Sequence, residues 1–494
     1  MKWICNPVYN GLDGRTGKEA EVDALLDAYF SVIQDDFTDT DGRVYRYGSP
    51  DGEGRFYGWE LDPVSREPLS EGTLLFTLKE DRHGFERLML PGASREEAAL
   101  LADRSVKEEK KKKRGFFTRL LEKKEKKSGL PENFVRLSCF KKDKIYYLIY
   151  SAPAAFSKGF SSGVYVSNAP LGPFHYQLNN PFAAASGGFL KGAGNGALVS
   201  DEEGRLYYIA QYYSEMQKNL SGALGIYPAE IDPDGTLFTL NRFQDHPLLV
   251  AARGELRASG ETTDDRKPYQ ALLSYGKEFH ASSAASGHEP SFANDEDAQT
   301  YFRPKQGEQA WLQADLMEDA DLSGIQLVFH PENDGKKKEE FSFQIQASLD
   351  GDNWFTLVDC LDQQMPSVSF IPLKDVRARY VILILPYKEK SKIPGITEFR
   401  IFGKKAGHRP EAASLVSARM TDEMSAVVSW RHDSRVTGHL VSYGISPAKL
   451  YLSRTVYGTD KITITELNKD RHYYLRVDSF NECGFTEGNV LKLK

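Results

Sequence analysis

The stretch FVRLSCFKKDKIYYLIYSAP, residues 134–153, decides the fold class of the first half of the chain. Apolar and polar side chains alternate on both sides of the charged run Lys141-Lys142-Asp143-Lys144. Alternation with a period of two residues around a polar turn predicts a β-hairpin. A polar turn followed by an aromatic, alternating run recurs in TDGRVYRYGS (40–49) and EEGRLYYIAQYY (202–213). This recurrence predicts four-stranded antiparallel units over residues 34–250, of the kind that builds a β-propeller.

The chain has 494 residues, 40% hydrophobic and 12% aromatic, with a formal net charge of −7. It is too long for one hydrophobic core, so we expect two to four mostly β domains. Its four cysteines, at positions 5, 139, 360 and 483, lie far apart, which argues against a disulfide framework. The N-terminus lacks the apolar core of a signal peptide, and no run approaches the roughly 18 apolar residues of a membrane span. We therefore expect a cytoplasmic protein with no membrane span.

Two segments depart from the β pattern. In AEVDALLDAYFSVI (20–33), apolar residues at helical spacing predict an amphipathic helix. A helical pattern with a basic run, at about 94–130, interrupts the strand rhythm. Contact with an anionic membrane or nucleic acid is one interpretation of this run. Its interspersed glutamates favour a solvated helical insertion instead, and we expect no nucleic-acid partner.

Residues 270–404 and 408–494 form two further zones of short alternating strands, which predict two β-sandwiches. The motifs WLQADL, SLDGDNW and GITEFRIFG follow in the order of a discoidin (F5/8 type C) domain, which the zone 270–404 resembles. The zone 408–494 resembles a fibronectin type III domain, with Trp430 and Tyr474 as its marks. The resemblances imply a discoidin-like jelly roll and a fibronectin type III sandwich, modules that most often bind glycans or brace a neighbouring domain.

The first zone, residues 1–255, is similar to glycoside hydrolase family 43. The stretches DTDGRVYRYGS, HGFER, GVYVSNAPLGPF and GGFLKGAGNGALV carry this similarity. It implies an all-β fold with a complete or partial five-bladed propeller around a substrate funnel. It also implies inverting β-xylosidase or α-L-arabinofuranosidase chemistry without a cofactor. The expected partner is a plant-type oligosaccharide or another glycan.

The catalytic positions of this family are altered here. Inverting hydrolysis needs two carboxyl groups roughly 6.5–9.5 Å apart, and the family adds a third. The helical stretch 20–33 replaces the strand that carries the family's base. Counting back from the DGRVY motif puts Ile33 at the third position, with Asp35 and Asp36 just after it. Counting back from the YYL motif puts Val135 at the general-acid position, and valine cannot donate a proton.

Three further residues are candidate substrate contacts. Asn195 stands where the resemblance implies an axial histidine, and its amide can bind a sugar or a water. Glu86 and Arg87 of the HGFER motif are candidate pocket walls, the alternative being a structural Glu–Arg pair. Tyr57 and Trp59 invite a sugar-stacking interpretation, although packing between blades is favoured.

The acidic loop Asn294-Asp295-Glu296-Asp297 makes Asp295 and Asp297 candidate ligands of a structural Ca²⁺, since hard cations prefer clustered oxygens. A solvated turn is the alternative. Trp311 and Trp354 are expected in the core of the discoidin-like zone, as Trp430 is in the last zone. We also expect the first zone to pack against the discoidin-like zone and to be stabilised by it.

Three hypotheses stay open at this point. The first is a catalytically degenerate protein that binds a glycan or a partner. The second is a working glycosidase that recruits Asp35, Asp36 or Glu86 as relocated carboxylates. The third is an interaction scaffold whose funnel is closed by side chains.

Overall fold

A computed structural model describes most of the chain. The described residues are 18–50, 54–87, 135–152, 161–184, 191–202, 204–213, 223–240, 242, 246, 271–307, 309–330, 340–366, 368–387, 392–432 and 434–493. The predicted insertion at about 94–130 lies outside these ranges. Among the described elements there is no helix with the length and apolar character needed to cross a lipid bilayer.

The N-terminal unit consists of one helix and three successive antiparallel sheets. The helix α1 is Lys18–Gln34. The first sheet contains β1 (Phe37–Thr38), β2 (Val44–Ser49), β3 (Arg55–Leu61), β4 (Thr73–Thr77) and β5 (Val135–Arg136), the last paired with β2. The second contains β6 (Ser138–Lys142), β7 (Ile145–Ala152), β8 (Ser161–Ser167) and β9 (His175–Tyr176). The third contains β10 (Lys191–Ser200), β11 (Leu206–Tyr213), β12 (Ala223–Ile231) and β13 (Leu237–Thr239).

A recurrent turn explains why these sheets form where the sequence repeats. Asp39, Asp201 and Asp232 each begin a turn whose fourth residue is a glycine, and the carbonyl oxygen of each aspartate accepts a hydrogen bond from that glycine's N–H. The three glycines have φ values of 86°, 77° and 86°. Glycine adopts positive φ without steric cost, so these Asp-Gly turns reverse the chain tightly.

The three sheets pack face to face through the alternating side chains of their strands. In β7, Tyr146, Leu148 and Tyr150 join the core shared with the first sheet. Tyr147 and Ile149, which point the other way, join the core shared with the third sheet. The period-two pattern that predicted a hairpin therefore reflects a strand buried on both faces.

Helix α1 covers the remaining face of the third sheet. Its buried residues Leu26 and Tyr29 pack against alternate residues of the sheet, including Val199 and Ile209. The predicted helix is confirmed, and it occupies a face that would otherwise be open for another sheet. The described residues form a curled stack of three sheets and one helix, and they do not show a closed propeller.

The central sandwich begins with strand β14 at Ala271 and ends with strand β20 at Lys404. Its strands are β14 (Ala271–Leu272), β15 (Glu278–Ala281), β16 (Ala310–His330), β17 (Glu340–Ser348), β18 (Phe355–Pro366), β19 (Val368–Leu385) and β20 (Gly395–Lys404). The long strand β16 pairs with β15 in its first half and with β20 in its second half. Both halves contribute to one core, with Leu312 in the first and Leu327 in the second. The sheet therefore folds over into two layers.

The central sandwich has two layers, A and B. Layer A contains β15, β17, β18, the first half of β16 and the second half of β19. Layer B contains β14, β20, the second half of β16 and the first half of β19. The outer face of layer B is buried: Val328 joins a core of the N-terminal unit, while Phe370 and Phe402 cluster with Tyr457 near the end of the chain.

The C-terminal sandwich has two sheets. One contains β21 (Ser414–Asp422), β22 (Ser425–Arg431) and β25 (Lys461–Ile464). The other contains β23 (Gly438–Gly444), β24 (Leu452–Tyr457), β26 (Tyr474–Asn481), β27 (Gly484–Thr486) and β28 (Leu491–Lys492). Trp430 is in the core at 1% exposure, as expected. Of the adjacent tyrosines Tyr473 and Tyr474, Tyr473 is the buried one, and its hydroxyl accepts the backbone N–H of Asn468 at 2.8 Å. The fibronectin type III resemblance itself remains a prediction.

The C-terminal sandwich also contacts the N-terminal unit directly. The Nδ2 of Asn468 donates to the carbonyl oxygens of Leu178 and Asn180, at 3.3 and 3.0 Å. The hydroxyl of Tyr176 donates to the Oδ1 of Asn468 at 2.9 Å. The N-terminal unit therefore packs against the C-terminal sandwich as well as against the central one.

Candidate functional site

Asn195, the predicted axial residue, lies on β10 with an exposed side chain. Its backbone has φ 49°, a conformation that asparagine tolerates better than most residues. The hydroxyl of Tyr29 donates to its carbonyl oxygen at 3.0 Å, and its own N–H donates to Ser151 Oγ at 2.8 Å. Its Nδ2 donates to Gln211 Oε1 at 3.1 Å. Asn195 therefore presents a positioned amide, while helix α1 secures its backbone from the other side.

Glu86, one of the three candidate relocated carboxylates, is buried, with its side chain at 0% exposure. It ends a 3₁₀ helix, Gly84–Glu86. Its Oε2 accepts the backbone N–H of Lys79 at 2.6 Å, and its Oε1 accepts the hydroxyl of Tyr150. Burial, with the Glu86 charge as a second cause, raises the pKa of Tyr150 well above its ordinary value. Both carboxylate oxygens are thus committed to internal donors, so the expected pocket-wall position of Glu86 is not observed.

The hydrogen bonds of Arg87 go to residues other than Glu86. Its guanidinium donates to Ser425 Oγ at 3.1 Å and to the carbonyl oxygen of Thr465, both in the C-terminal sandwich. Neighbouring Gly84 donates its N–H to the carbonyl oxygen of Leu467 at 3.0 Å. A Cβ at Gly84 would lie 2.4 Å from that oxygen, so the glycine permits this close approach. The HGFER motif here builds a contact between domains.

The structure also places the three candidate positions that precede the first turn of the chain. Ile33 lies in helix α1, where it packs against the α1–sheet core, and not at the start of a strand. Asp35 is exposed just after the helix and accepts a hydrogen bond from Ser31 Oγ at 3.1 Å. Asp36 forms a two-point ion pair with Arg46, both contacts at 2.8 Å, and the two side chains are 9% and 7% exposed. Asp36 is therefore part of the structure of the first sheet.

Val135, at the expected general-acid position, lies on β5 opposite Ser49 of β2. Its side chain is 46% exposed. We expected Val135 to follow the register of the hairpin that starts at β6. It instead belongs to the first sheet, because the chain leaves that sheet between Arg136 and Ser138.

The aromatic residues Tyr57 and Trp59 were expected between blades. Both are half-buried on β3, with ring centroids 6.0 Å apart, and neither belongs to the buried core. Among the described residues, the pair joins neither of the cores that hold the N-terminal sheets together, and packing between blades stays a prediction.

A polar cluster around Asp39 was not predicted from the sequence. The buried Asp39 accepts hydrogen bonds from the hydroxyl of Tyr146, the ammonium group of Lys141 and the N–H of Thr40, the last at 2.6 Å. Burial alone would raise the pKa of Asp39, but the bonds from Lys141 and Tyr146 lower it to about 2. The cluster joins a turn of the first sheet to the hairpin of the second, a contact that one sequence does not reveal.

The Asp39 cluster carries a prediction for pH dependence. Replacing Asp39 with asparagine should lower the free energy of unfolding at pH 7 by about 1.5–3 kcal/mol, since hydrogen bonds to a charged group are lost. The folded pKa lies below the unfolded value of about 3.9, so the stabilisation is fully present above pH 4 and is lost as the pH falls towards 2. Urea unfolding of both proteins between pH 7 and 2 checks this.

The matched control is Asp41→Asn, since Asp41 is exposed and bonded to Arg43 within the same turn. This change should leave the urea midpoint almost unchanged. A difference between Asp39→Asn and the unmodified protein that stays constant down to pH 2 would contradict the prediction.

The candidate calcium ligands Asp295 and Asp297 both accept hydrogen bonds from their own loop. The carboxylate of Asp295 accepts the hydroxyl of Thr300 at 2.8 Å and the N–H of Asp297 at 3.0 Å. The carboxylate of Asp297 accepts the N–H of Gln299 at 3.0 Å. Burial raises the pKa of Asp295, and no group of three or more potential metal ligands occurs among the described residues. The donor set fits a self-contained turn better than Ca²⁺.

Layer B carries a second buried polar group, around Arg400. Its guanidinium pairs with Glu296 through contacts of 2.8 and 2.9 Å and donates to Gln326 Oε1 at 2.8 Å. Burial and the Glu296 charge raise the pKa of nearby Glu398 well above its ordinary value. This network lies on the face of the central sandwich that packs against the other units, so it is a docking element and not an open site.

Comparisons with solved structures give low sequence identities. A structure described as a glycoside hydrolase is similar over 74% of this chain and 69% of its own, at 15% identity and a TM-score of 0.36. Chitosan-binding module 1 of a chitosanase/glucanase from Paenibacillus sp. IK-5 is similar over 27% of this chain and 99% of its own, at 22% identity and a TM-score of 0.24. The module CpGH89CBM32-4 from Clostridium perfringens, in complex with GlcNAc-α-1,4-galactose, covers 27% of this chain and 94% of its own, at 16% identity and a TM-score of 0.24.

The sequence itself matches one family model. No curated protein matches the chain. The model of the F5/8 type C domain matches residues 278–399. These residues lie within the zone 270–404, where the discoidin resemblance was noted. The central sandwich therefore contains an F5/8 type C (discoidin) domain.

Proposed function

We propose that the protein binds a carbohydrate without hydrolysing it. The N-terminal unit then serves as a family 43-like scaffold that has lost its catalytic carboxylates, and the discoidin domain supplies the glycan-binding module. The observation that carries the proposal is the burial of Glu86, whose two oxygens accept bonds from Lys79 and Tyr150. A carboxyl group in this state cannot reach a glycosidic oxygen or activate a water.

The other candidate carboxylates support the same conclusion. Asp36 is neutralised by Arg46 and Asp35 stands at the exposed end of a helix. Inversion needs two carboxyl groups facing each other across a sugar, roughly 6.5–9.5 Å apart. Asp36 and Glu86 are each engaged by a different internal partner, so neither is available to form that pair.

The proposal predicts no hydrolysis of aryl β-xylosides or aryl α-L-arabinofuranosides above a blank without enzyme, because none of the three candidate carboxylates, Asp35, Asp36 and Glu86, is placed to act as acid or base. An active family 43 enzyme assayed alongside is the positive control. Retardation of the protein in native gels containing arabinoxylan, hydroxyethyl cellulose or glycol chitin measures binding in parallel.

The competing candidate is a working glycosidase. It predicts turnover that Glu86→Gln, Asp35→Asn or Asp36→Asn abolishes while the melting temperature is kept. Such turnover would show that the protein is a glycosidase and would contradict the proposal. If none of the polysaccharides retards the protein, the proposed carbohydrate binding is wrong.

A further inference from the structure

The outer face of layer A is open in the part of the chain that the structure describes, in contrast to the buried outer face of layer B. Beyond the edge strand β15, whose exposed His280 lies opposite Gln313, four neighbouring strands contribute side chains that are half-buried, except for the exposed Asp359. They are Trp311, Gln313, Gln344, Gln346, Asp359, Tyr380, Ile382 and Ile384. Because layer B packs against the rest of the chain, this open face is the broad side that the discoidin domain turns outward.

The register of the strands aligns these side chains in rows. Trp311 of β16 lies opposite Ile384 of β19, which lies opposite Gln344 of β17, which lies opposite Asp359 of β18. Directly paired residues of antiparallel strands point to the same side. With strands about 4.8 Å apart, the row spans roughly 14 Å, which suits a short oligomer more than a single small molecule. The next row in register, which begins with Leu312, belongs to the core.

Hydrogen bonds hold the amide groups of the open face in place. The Nε2 of Gln346 donates to Gln344 Oε1 at 2.8 Å, and the Nε2 of Gln344 donates to Asp359 Oδ2 at 2.9 Å. An amide side chain has two N–H donors and two acceptor lone pairs, so each glutamine keeps capacity for a ligand. The chain of bonds orders the amides before a ligand arrives, which reduces the entropy cost of binding.

The charges of the open face determine which ligands it suits. The arginine at its edge, Arg379, is engaged by Asp315 through two contacts of 2.9 Å and lies over the ring of Tyr380 at 4.7 Å. Within the rows described above there is no lysine or arginine. Phosphates, acidic glycans and nucleic acids need uncompensated cations, so this face disfavours them.

We propose that the open face of layer A binds a neutral oligosaccharide laid across strands β16, β19, β17 and β18. The sugar's C–H faces lie on Trp311 and the two isoleucines, and its hydroxyls bond to Gln344, Gln346 and Asp359. Aromatic and aliphatic surface beside fixed amides matches the alternating apolar and hydroxyl faces of a neutral sugar chain. This inference rests on the proposed glycan binding and assigns it to the sheet face, not to a loop end of the domain.

The test uses the full chain, in native gels containing arabinoxylan, hydroxyethyl cellulose or glycol chitin. The key variant is Gln344→Ala with Gln346→Ala, which alters half-buried polar side chains and leaves the core untouched. It should weaken binding of the polysaccharide that retards the unmodified protein by about tenfold or more, at an unchanged melting temperature. A second variant, Ile382→Thr, should also weaken binding and does not depend on the amides.

The matched controls are Leu349→Ala and Tyr387→Ala, exposed residues at opposite ends of layer A, each 48% exposed. They should bind as the unmodified protein does. Binding that survives the glutamine and isoleucine changes but is lost in either control overturns the sheet-face assignment and leaves the proposed function intact. If none of the polysaccharides retards the unmodified protein, the proposed function fails and this inference falls with it.

Discussion

Replacing Arg400 with alanine is expected to lower the free energy of unfolding of the central sandwich by about 3–5 kcal/mol, the usual cost of removing one partner of a buried ion pair. The Arg400 side chain is 0% exposed and that of Glu296 is 4% exposed, so the change leaves a carboxylate without its counterion in a buried position. Urea unfolding followed by far-UV circular dichroism measures the loss.

Arg379→Ala is the matched control, since Arg379 makes the same two-point contact with Asp315 in the same domain. The side chain of Arg379 is 35% exposed, and exposed pairs contribute only about 0–1 kcal/mol. Equal losses for the two variants would contradict the view that burial makes the Arg400 pair important.

Trp430→Ala is expected to destabilise the C-terminal sandwich by about 3–5 kcal/mol, because truncating a fully buried tryptophan leaves a large cavity. Trp430 belongs to the core formed with Val428 and Tyr443. The loss appears as a lower melting temperature in calorimetry of the full chain.

Trp354→Ala is the control: the indole of Trp354 is half-buried and donates to the carbonyl oxygen of Gly351 at 2.9 Å. A loss of about 1 kcal/mol is expected there, and a loss as large as that of Trp430→Ala would show that exposure does not separate the two sites.

The tryptophans also show what periodicity alone could and could not predict. Alternation correctly indicated strands around Trp311, but it did not indicate which of the two alternating sets faces the core. Trp311 is half-buried, while the neighbouring Leu312 and Ala314 are fully buried. Residue size favoured the tryptophan, whereas the core is filled by smaller aliphatic side chains from both layers. The expectation that Trp311 and Trp354 are core residues was therefore wrong.

Local signals were more reliable than signals that depend on partner domains. The helix at 20–33 and the Asp-Gly turns follow from nearby residues, and both are observed. The positions of Glu86 and Arg87 depend on Tyr150 and Thr465, far away in the chain. A counted register also failed at Val135, because the chain changes sheets two residues later.

The contact between the HGFER loop and the C-terminal sandwich has a consequence for biosynthesis. Arg82 and Asp470, which form an ion pair at 3.3 Å, are 388 positions apart in sequence. At roughly 5–20 residues per second, the ribosome needs on the order of 20–80 s to make the intervening chain. Until then, Gly84 and Arg87 lack their partners Leu467 and Thr465, while Glu86 can already bond to Lys79 and Tyr150 within the N-terminal unit. The contact between the HGFER loop and the C-terminal sandwich therefore forms late, only after Asp470 has been made.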